Sequence, residues 1–447
     1  MLYIVSVNIK RIINIVLTML VINTVLLFRL PFPGPVMVIA VAILAIMYIK
    51  TNIIPRSEKH LSFRLVVLLG GYELFIISCI CLTLELILYT LGVYRFNIAK
   101  DNMIVNAVIA GVLMFLMFFN GLIRIFVCSS QLGIKYRVLL LLFFWVPIVN
   151  ILILVKCCRI AGLEFYFSRR SAGNDSRREK EQVCATKYPL LMLHGIFFRD
   201  SPAFNYWGRI PDKLIRNGAK IFYGKQDSSA SVERTAQELA VRIEELIKQT
   251  GSPKVNIIAH SKSGLDARYA ISRFGMDQYV ASLTTINTPH RGTYIAGALT
   301  EKMPEKLTDF VASKYSALYQ KLGDSEPDFL SGLNHLTVEK CAELNVQMPD
   351  MPGVLYLSVG SVMKSATSAA FPQNVGYLMI FPKEGENDGL VPVPSMSWGE
   401  WLGLIRPTSN EGIGHGDMID LTRKNIKGFD VCEFYVELVA GLKKRGC

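Results

Sequence analysis

The chain has 447 residues, of which 51% are hydrophobic and only 19% charged, with a mean hydropathy of +0.35 and a formal net charge of +12. That length is too great for one ordinary domain, and so apolar a composition argues against a wholly soluble chain and for membrane content. No basic helix or aromatic-interleaved basic stripe accompanies the positive charge, so no nucleic acid partner is expected and Lys and Arg are read as loop charges beside membrane spans.

From Arg11 to about Val155 the chain is a series of apolar runs: Ile12–Phe28, Val36–Ile49, Leu65–Leu91, Ile104–Val127 and Val138–Val155. A helix crossing the hydrocarbon core needs about 20 apolar residues, with roughly 17–25 tolerated. The third, fourth and fifth runs meet that length, the first is marginal and the second is short. The expectation is an all-α transmembrane domain of about five helices over residues 1–160, a multi-pass unit in the cell membrane. The first run has no small-residue cleavage motif after it and is read as retained. Glu73 and Glu85 lie within the third run, where a carboxylate is costly and needs a partner.

Orientation stays open. Lys50, Arg56, Lys59 and Arg64 follow the second run, Arg124, Lys135 and Arg137 the fourth, and Lys156, Arg159, Arg169 and Arg170 the fifth. With five spans these cannot all lie on one side. The nine cysteines form no pair of C-x-x-C motifs, so no structural zinc is expected, and free thiols favour a reducing, cytoplasmic side for the rest of the chain. Residues 161–185 form a basic polar linker.

Beyond it, short apolar strands alternate with helical stretches, the pattern of a mostly parallel sheet covered by helices on both faces. Strands are expected at Tyr188–Leu193, Ala219–Tyr223, Val255–Ala259, Tyr279–Asn287, Gly353–Val359 and Val375–Phe381. Helices are expected at Trp207–Asn217, Ser231–Thr250, Leu265–Phe274 and Gly428–Lys443. Residues 293–345 carry amphipathic helical pattern without strand signals and are read as a helical cap.

Val255-Asn256-Ile257-Ile258-Ala259 runs into His260-Ser261-Lys262-Ser263-Gly264 and then a helix, the layout of a nucleophile elbow. Centred on Ser261, the residues at −2 and +2 are the small Ala259 and Ser263; centred on Ser263, Leu265 would crowd the turn. Ser261 is therefore the candidate nucleophile. A serine hydroxyl also needs a base and oxyanion donors. Of the six histidines (His60, His194, His260, His290, His335 and His415), only His415, in Gly412-Ile413-Gly414-His415-Gly416-Asp417, follows the last expected strand, where Ser…Asp…His order requires the base. Asp388, in the turn Glu386-Asn387-Asp388-Gly389, is the candidate acid. Ile196 and Lys262 are the candidate backbone donors of an oxyanion hole.

These motifs, with Leu193-His194-Gly195, Asn287-Thr288-Pro289-His290-Arg291-Gly292 and Asn387-Asp388-Gly389-Leu390-Val391, resemble those of the bacterial triacylglycerol lipases and related esterases of the α/β-hydrolase superfamily. The resemblance implies an α/β-hydrolase fold over residues 186–447, with Ser261, Asp388 and His415 as its triad and no organic cofactor. Ala259 and Ser263 replace both glycines of G-x-S-x-G. Some family members bind a structural calcium through an aspartate two residues after the histidine. Asp417 matches that position, but no partner aspartate is evident upstream of Asp388. The implied function is a membrane-anchored serine hydrolase acting on lipid or other apolar acyl esters. The alternatives are a membrane scaffold or transport protein with an inactive hydrolase fold, and an acyltransferase on the same fold.

Overall fold

In the computed structural model, which describes residues 2–28, 33–55, 61–95, 100–178, 180–196, 205–227, 229–301, 328–406 and 412–447, the chain divides into two units, Met1–Ser176 and Arg177–Cys447. The first is helical: α1 (Leu2–Ile22), α2 (Thr24–Leu27), α3 (Gly34–Ile53), α4 (Phe63–Arg95), α5 (Lys100–Cys128), α6 (Gly133–Leu142) and α7 (Pro147–Arg178). Among the described residues, three segments are long and apolar enough to cross a membrane: Gly34–Ile53, Phe63–Leu91 and Asn102–Cys128. α4 and α5 approach closely because glycines meet at their crossing. A Cβ on Gly71 would stand 2.9 Å from the Gly121 carbonyl oxygen, and one on Gly121 would stand 2.9 Å from that of Gly71. Small residues let helix backbones come together where lipid provides no hydrophobic drive.

The apolar runs and the helices do not coincide one to one. The fifth run, Val138–Val155, is not a single helix: α6 stops at Leu142 and α7 restarts at Pro147, whose fixed φ and missing N–H suit a first helical position but not an interior one. The first run is interrupted at Asn23. The second, short as an apolar run, becomes a helix of 20 residues because polar Lys50, Thr51 and Asn52 extend it. Glu73 is held by Arg11, whose Nε and Nη2 donate to its two oxygens at 2.9 and 2.6 Å. α7 continues to Arg178, so much of the expected linker is helix.

The second unit is built on a parallel sheet of six strands in the order β2-β1-β3-β4-β5-β6. Its elements are β1 (Leu190–Leu193), α8 (Ile210–Arg216), β2 (Ile221–Tyr223), α9 (Val232–Thr250), β3 (Val255–His260), α10 (Ser263–Arg273), β4 (Val280–Ile286), α11 (Tyr294–Glu301), α12 (Phe329–Asn334), α13 (Val338–Gln347), β5 (Leu355–Ser361), α14 (Gln373–Glu384), α15 (Val393–Met396), β6 (Glu400–Ile405) and α16 (Val431–Lys444). Alternation along the strands divides the core. Leu190, Met192, Ile258 and Ile286 pack against Ile210 and Leu214 of α8 and Tyr435 and Val439 of α16. Leu191, Leu193, Ile257 and Ala259 pack against Leu239 and Ile243 of α9 and Ala267 and Ile271 of α10. α9 starts at Ser231, whose side chain accepts from Arg234 N–H, and ends at Gly251 with φ +66°, a left-handed cap that glycine adopts without strain.

Val375–Phe381, expected as a strand, lies in α14. A short apolar run fits either period, and here Gly376, Tyr377 and Ile380 are the buried side, spaced by one and three. Gly376 is needed there, because a Cβ would come within 1.9 Å of the Gly389 carbonyl oxygen. The sixth strand is instead β6, whose sequence Glu-Trp-Leu-Gly-Leu-Ile carries a glycine that masks its strand signal. In the expected cap, α11, α12 and most of α13 are helical, and residues 302–327 lie outside the described residues.

Candidate active site

β3 ends at His260 and α10 begins at Ser263, leaving two residues to reverse the chain. Ser261 makes that turn with φ +62°, a left-handed conformation that costs a non-glycine residue about 1–3 kcal/mol. Its neighbours hold it there. Ser261 N–H donates to Ile286 O at 3.0 Å, and its carbonyl accepts from Gly264 N–H at 3.1 Å and from the Thr288 hydroxyl at 2.8 Å. Gly264 admits Thr288, since a Cβ would stand 2.2 Å from Thr288 Oγ1. Gly195 is likewise fitted to the elbow, as its Cβ would fall 2.8 Å from Ser261 Cβ. Ser263 is fully buried, and its hydroxyl is directed at the carbonyls of His260 and Leu193, at 2.9 and 3.1 Å.

Asp388 and His415 come together although they lie on different loops. His415 Nδ1 donates to Asp388 Oδ2 at 2.6 Å, and His415 N–H donates to the Asp388 carbonyl at 2.9 Å. The carboxylate is fully buried and saturated. Oδ1 accepts from the N–H groups of Leu390 and Val391 at 2.9 and 2.8 Å, and Oδ2 accepts a second bond from Asn287 Nδ2 at 2.6 Å. Because Nδ1 carries the proton, Nε2 of His415 is left as the basic nitrogen. Lys262 follows Ser261 in the elbow, and Ile196 follows Gly195, whose Cα lies against the Ser261 side chain.

No family model matches the chain. A triacylglycerol lipase of Vibrio cholerae is 29% identical over 271 residues, covering 55% of this chain and 85% of the relative. One of Pseudarthrobacter phenanthrenivorans is 32% identical over 182 residues, 38% of this chain and 56% of its own length. Among solved structures, the lipase of Staphylococcus hyicus is 17% identical with a TM-score of 0.46, over 58% of this chain and 97% of that one. The chain is thus similar to triacylglycerol lipases over a stretch the size of its C-terminal unit, whose parallel sheet with helices on both faces is the α/β-hydrolase layout. It is a carboxylic ester hydrolase.

In this hydrolase the other histidines have different employment. His194 lies between the carbonyls of Gly195 and Gln226, His290 between the Thr285 hydroxyl and Arg268, and His335 between Ser331 O and Glu233. His60 lies outside the described residues. His260 connects two parts of the site. Its Nε2 faces the His415 carbonyl at 3.2 Å, which can only accept, so the proton sits on Nε2. Its Nδ1 then accepts from the Tyr206 hydroxyl at 2.7 Å, and that hydroxyl accepts from Gly195 N–H at 2.9 Å. Burial, and then the adjacent His415, hold the His260 imidazole well below its ordinary pKa, so it stays neutral.

Three of these supporting residues were not assigned roles from sequence. Asn287, which orients Asp388, is the most accessible, since it ends the strand beside the elbow strand. Thr288 follows it. Tyr206 carries no local signal at all. Lys262, expected only as a backbone donor, has a buried ammonium that donates to Asp266 Oδ1 at 2.7 Å; burial raises the Asp266 carboxyl to about 6, with Lys262 opposing the rise. Asp417, the calcium candidate, turns Oδ2 to Gly414 N–H at 2.8 Å. Among the described residues, no group of three or more His, Cys, Asp or Glu side chains is placed to hold a metal ion.

Proposed function

We propose that Ser261 is the nucleophile, His415 the general base and Asp388 the residue that holds the His415 tautomer. The observation that best supports this is the 2.6 Å bond from His415 Nδ1 to a buried, four-times-bonded Asp388 carboxylate, on the loop that follows the last strand. His415 Nε2 takes the hydroxyl proton as Ser261 Oγ adds to the acyl carbon. The N–H groups of Ile196 and Lys262 receive the oxyanion. Collapse expels the alcohol, which leaves with the proton from His415, and water repeats the cycle on the acyl-enzyme. Within this scheme Asp388 stabilises the imidazolium and stays ionised.

The substrate class is lipid or other apolar acyl ester, in keeping with relatives named triacylglycerol lipases. The N-terminal unit, with three helices among the described residues apolar enough to span a bilayer, is a multi-pass anchor that keeps the hydrolase beside lipid. Fluorophosphonate labelling of membranes tests the assignment. Wild type and Ser263→Ala label, and Ser261→Ala does not. Labelling that survives Ser261→Ala refutes the nucleophile. Retention of the full chain in the pellet after alkaline carbonate washing tests the anchor.

A further inference from the structure

A second polar site lies inside the N-terminal unit. Asn23 sits at the interruption between α1 and α2, with Nδ2 donating to Met19 O at 3.0 Å and to Glu85 Oε2 of α4 at 2.9 Å. Its Oδ1 accepts from Asn106 Nδ2 of α5 at 2.9 Å. Asn106 Nδ2 also donates to the Tyr89 hydroxyl at 2.9 Å, and the Tyr89 hydroxyl donates to Met103 O at 3.2 Å. The donors are thus all committed.

Two acceptors remain. Glu85 Oε1 and Asn106 Oδ1 are buried, their residues 4% and 0% exposed, and neither has a hydrogen-bond donor among the described residues. No basic side chain among those residues offsets Glu85. Arg11 of α1 is taken by Glu73, α5 presents Asn106, and the titratable groups beside Glu85 are Cys81 and Tyr89, one turn before and after it on α4. Burying an ionised carboxylate with one neutral donor would cost several kcal/mol. A proton on Oε1 removes that charge and creates the donor that the cluster lacks, in a cluster where Asn23 bonds both Glu85 and Asn106 and the Asn106 amide oxygen lacks a donor.

We propose that Glu85 is a proton-binding site of the N-terminal unit, a neutral carboxylic acid whose O–H serves the Asn106 amide oxygen where α1, α2, α4 and α5 meet. Loss of the proton would leave an uncompensated charge at the helix interruption. The site would therefore couple protonation to the packing of Asn23 against α4 and α5.

Infrared difference spectroscopy of the full-length protein in detergent micelles at neutral pH tests this, comparing wild type with Glu85→Gln. The expected result is loss of one protonated-carboxyl C=O stretch with no loss of carboxylate bands. Loss of a carboxylate band instead overturns the proposal, and so does a protonated band that appears only when sodium and potassium are removed, which would make the occupant a metal cation. The thermal midpoint gives a second measurement. Glu85→Gln, a neutral isostere, keeps the wild-type midpoint and ester hydrolysis, whereas Glu85→Ala lowers the midpoint. A midpoint lowered equally by both variants contradicts a neutral acid. Dicyclohexylcarbodiimide, which adds to protonated buried carboxyls without a leaving group, labels Glu85 and spares Glu73, which is paired with Arg11.

Discussion

Replacing Asp388 by asparagine removes one charge and almost no volume, which makes it a sensitive test of the proposed triad. Both carboxylate oxygens act only as acceptors: Oδ2 receives His415 Nδ1–H and Asn287 Nδ2–H, and Oδ1 receives Leu390 and Val391 N–H. In Asp388→Asn the new amide NH2 must face one of these pairs, so two donors lose their acceptor in either rotamer. Turned toward His415, it forces the imidazole to take its proton on Nε2, where it cannot accept from Ser261. Loss of the correct tautomer and of the countercharge costs about 10^4-fold in kcat, equivalent to about 5.4 kcal/mol. Each orphaned buried donor adds about 1–3 kcal/mol of destabilisation, so the thermal midpoint falls as well. The assay is hydrolysis of a chromogenic short-chain ester by the full-length protein in micelles, with the fluorophosphonate labelling rate measured in parallel. A kcat within about tenfold of wild type in a folded Asp388→Asn protein would refute the role of Asp388.

Other expectations concern the supports of the site. Tyr206→Phe leaves Gly195 N–H and His260 Nδ1 without partners, so kcat falls by about tenfold, the equivalent of one lost hydrogen bond of about 1.4 kcal/mol; an unchanged kcat would remove Tyr206 from the positioning chain. Gly195→Ala pushes a methyl against Ser261 Cβ at 2.8 Å and His260 O at 3.0 Å, and labelling slows far more than the thermal midpoint drops. Equal wild-type labelling rates would contradict that close approach. His260 and His290 are both held neutral, with folded pKa values depressed by burial. Their stabilisation is therefore complete above the unfolded value of about 6.5 and is lost as pH falls, by about 1 kcal/mol apiece between pH 7.5 and 5.5. Asp266, raised in the fold, acts in the opposite direction over the same range. The thermal midpoint accordingly falls on acidification, and falls less in His260→Gln; an identical fall in both proteins would contradict a buried neutral His260.

Sequence alone located the apolar helices, the parallel α/β pattern and the candidate residues Ser261, Asp388 and His415, because each is marked locally. Apolar runs, a β-branched strand breaking at small residues, and an Asp-Gly turn are short-range features whose physics is contained in a few neighbours. Where two local states have similar energy, the sequence was ambiguous. Val375–Phe381 satisfies strand and helix patterns alike, and packing of Gly376 on Gly389 made it α14. The apolar run Val138–Val155 hid the stop between α6 and α7, since hydropathy does not register the backbone cost of Pro147. Only the tertiary structure could bring Asn287 to Asp388 across 101 residues of chain, His260 to the His415 carbonyl across 155, or Asn23 to Glu85 across 62. Buried polar groups must find partners wherever the fold places them, and that demand leaves no period or spacing in the sequence.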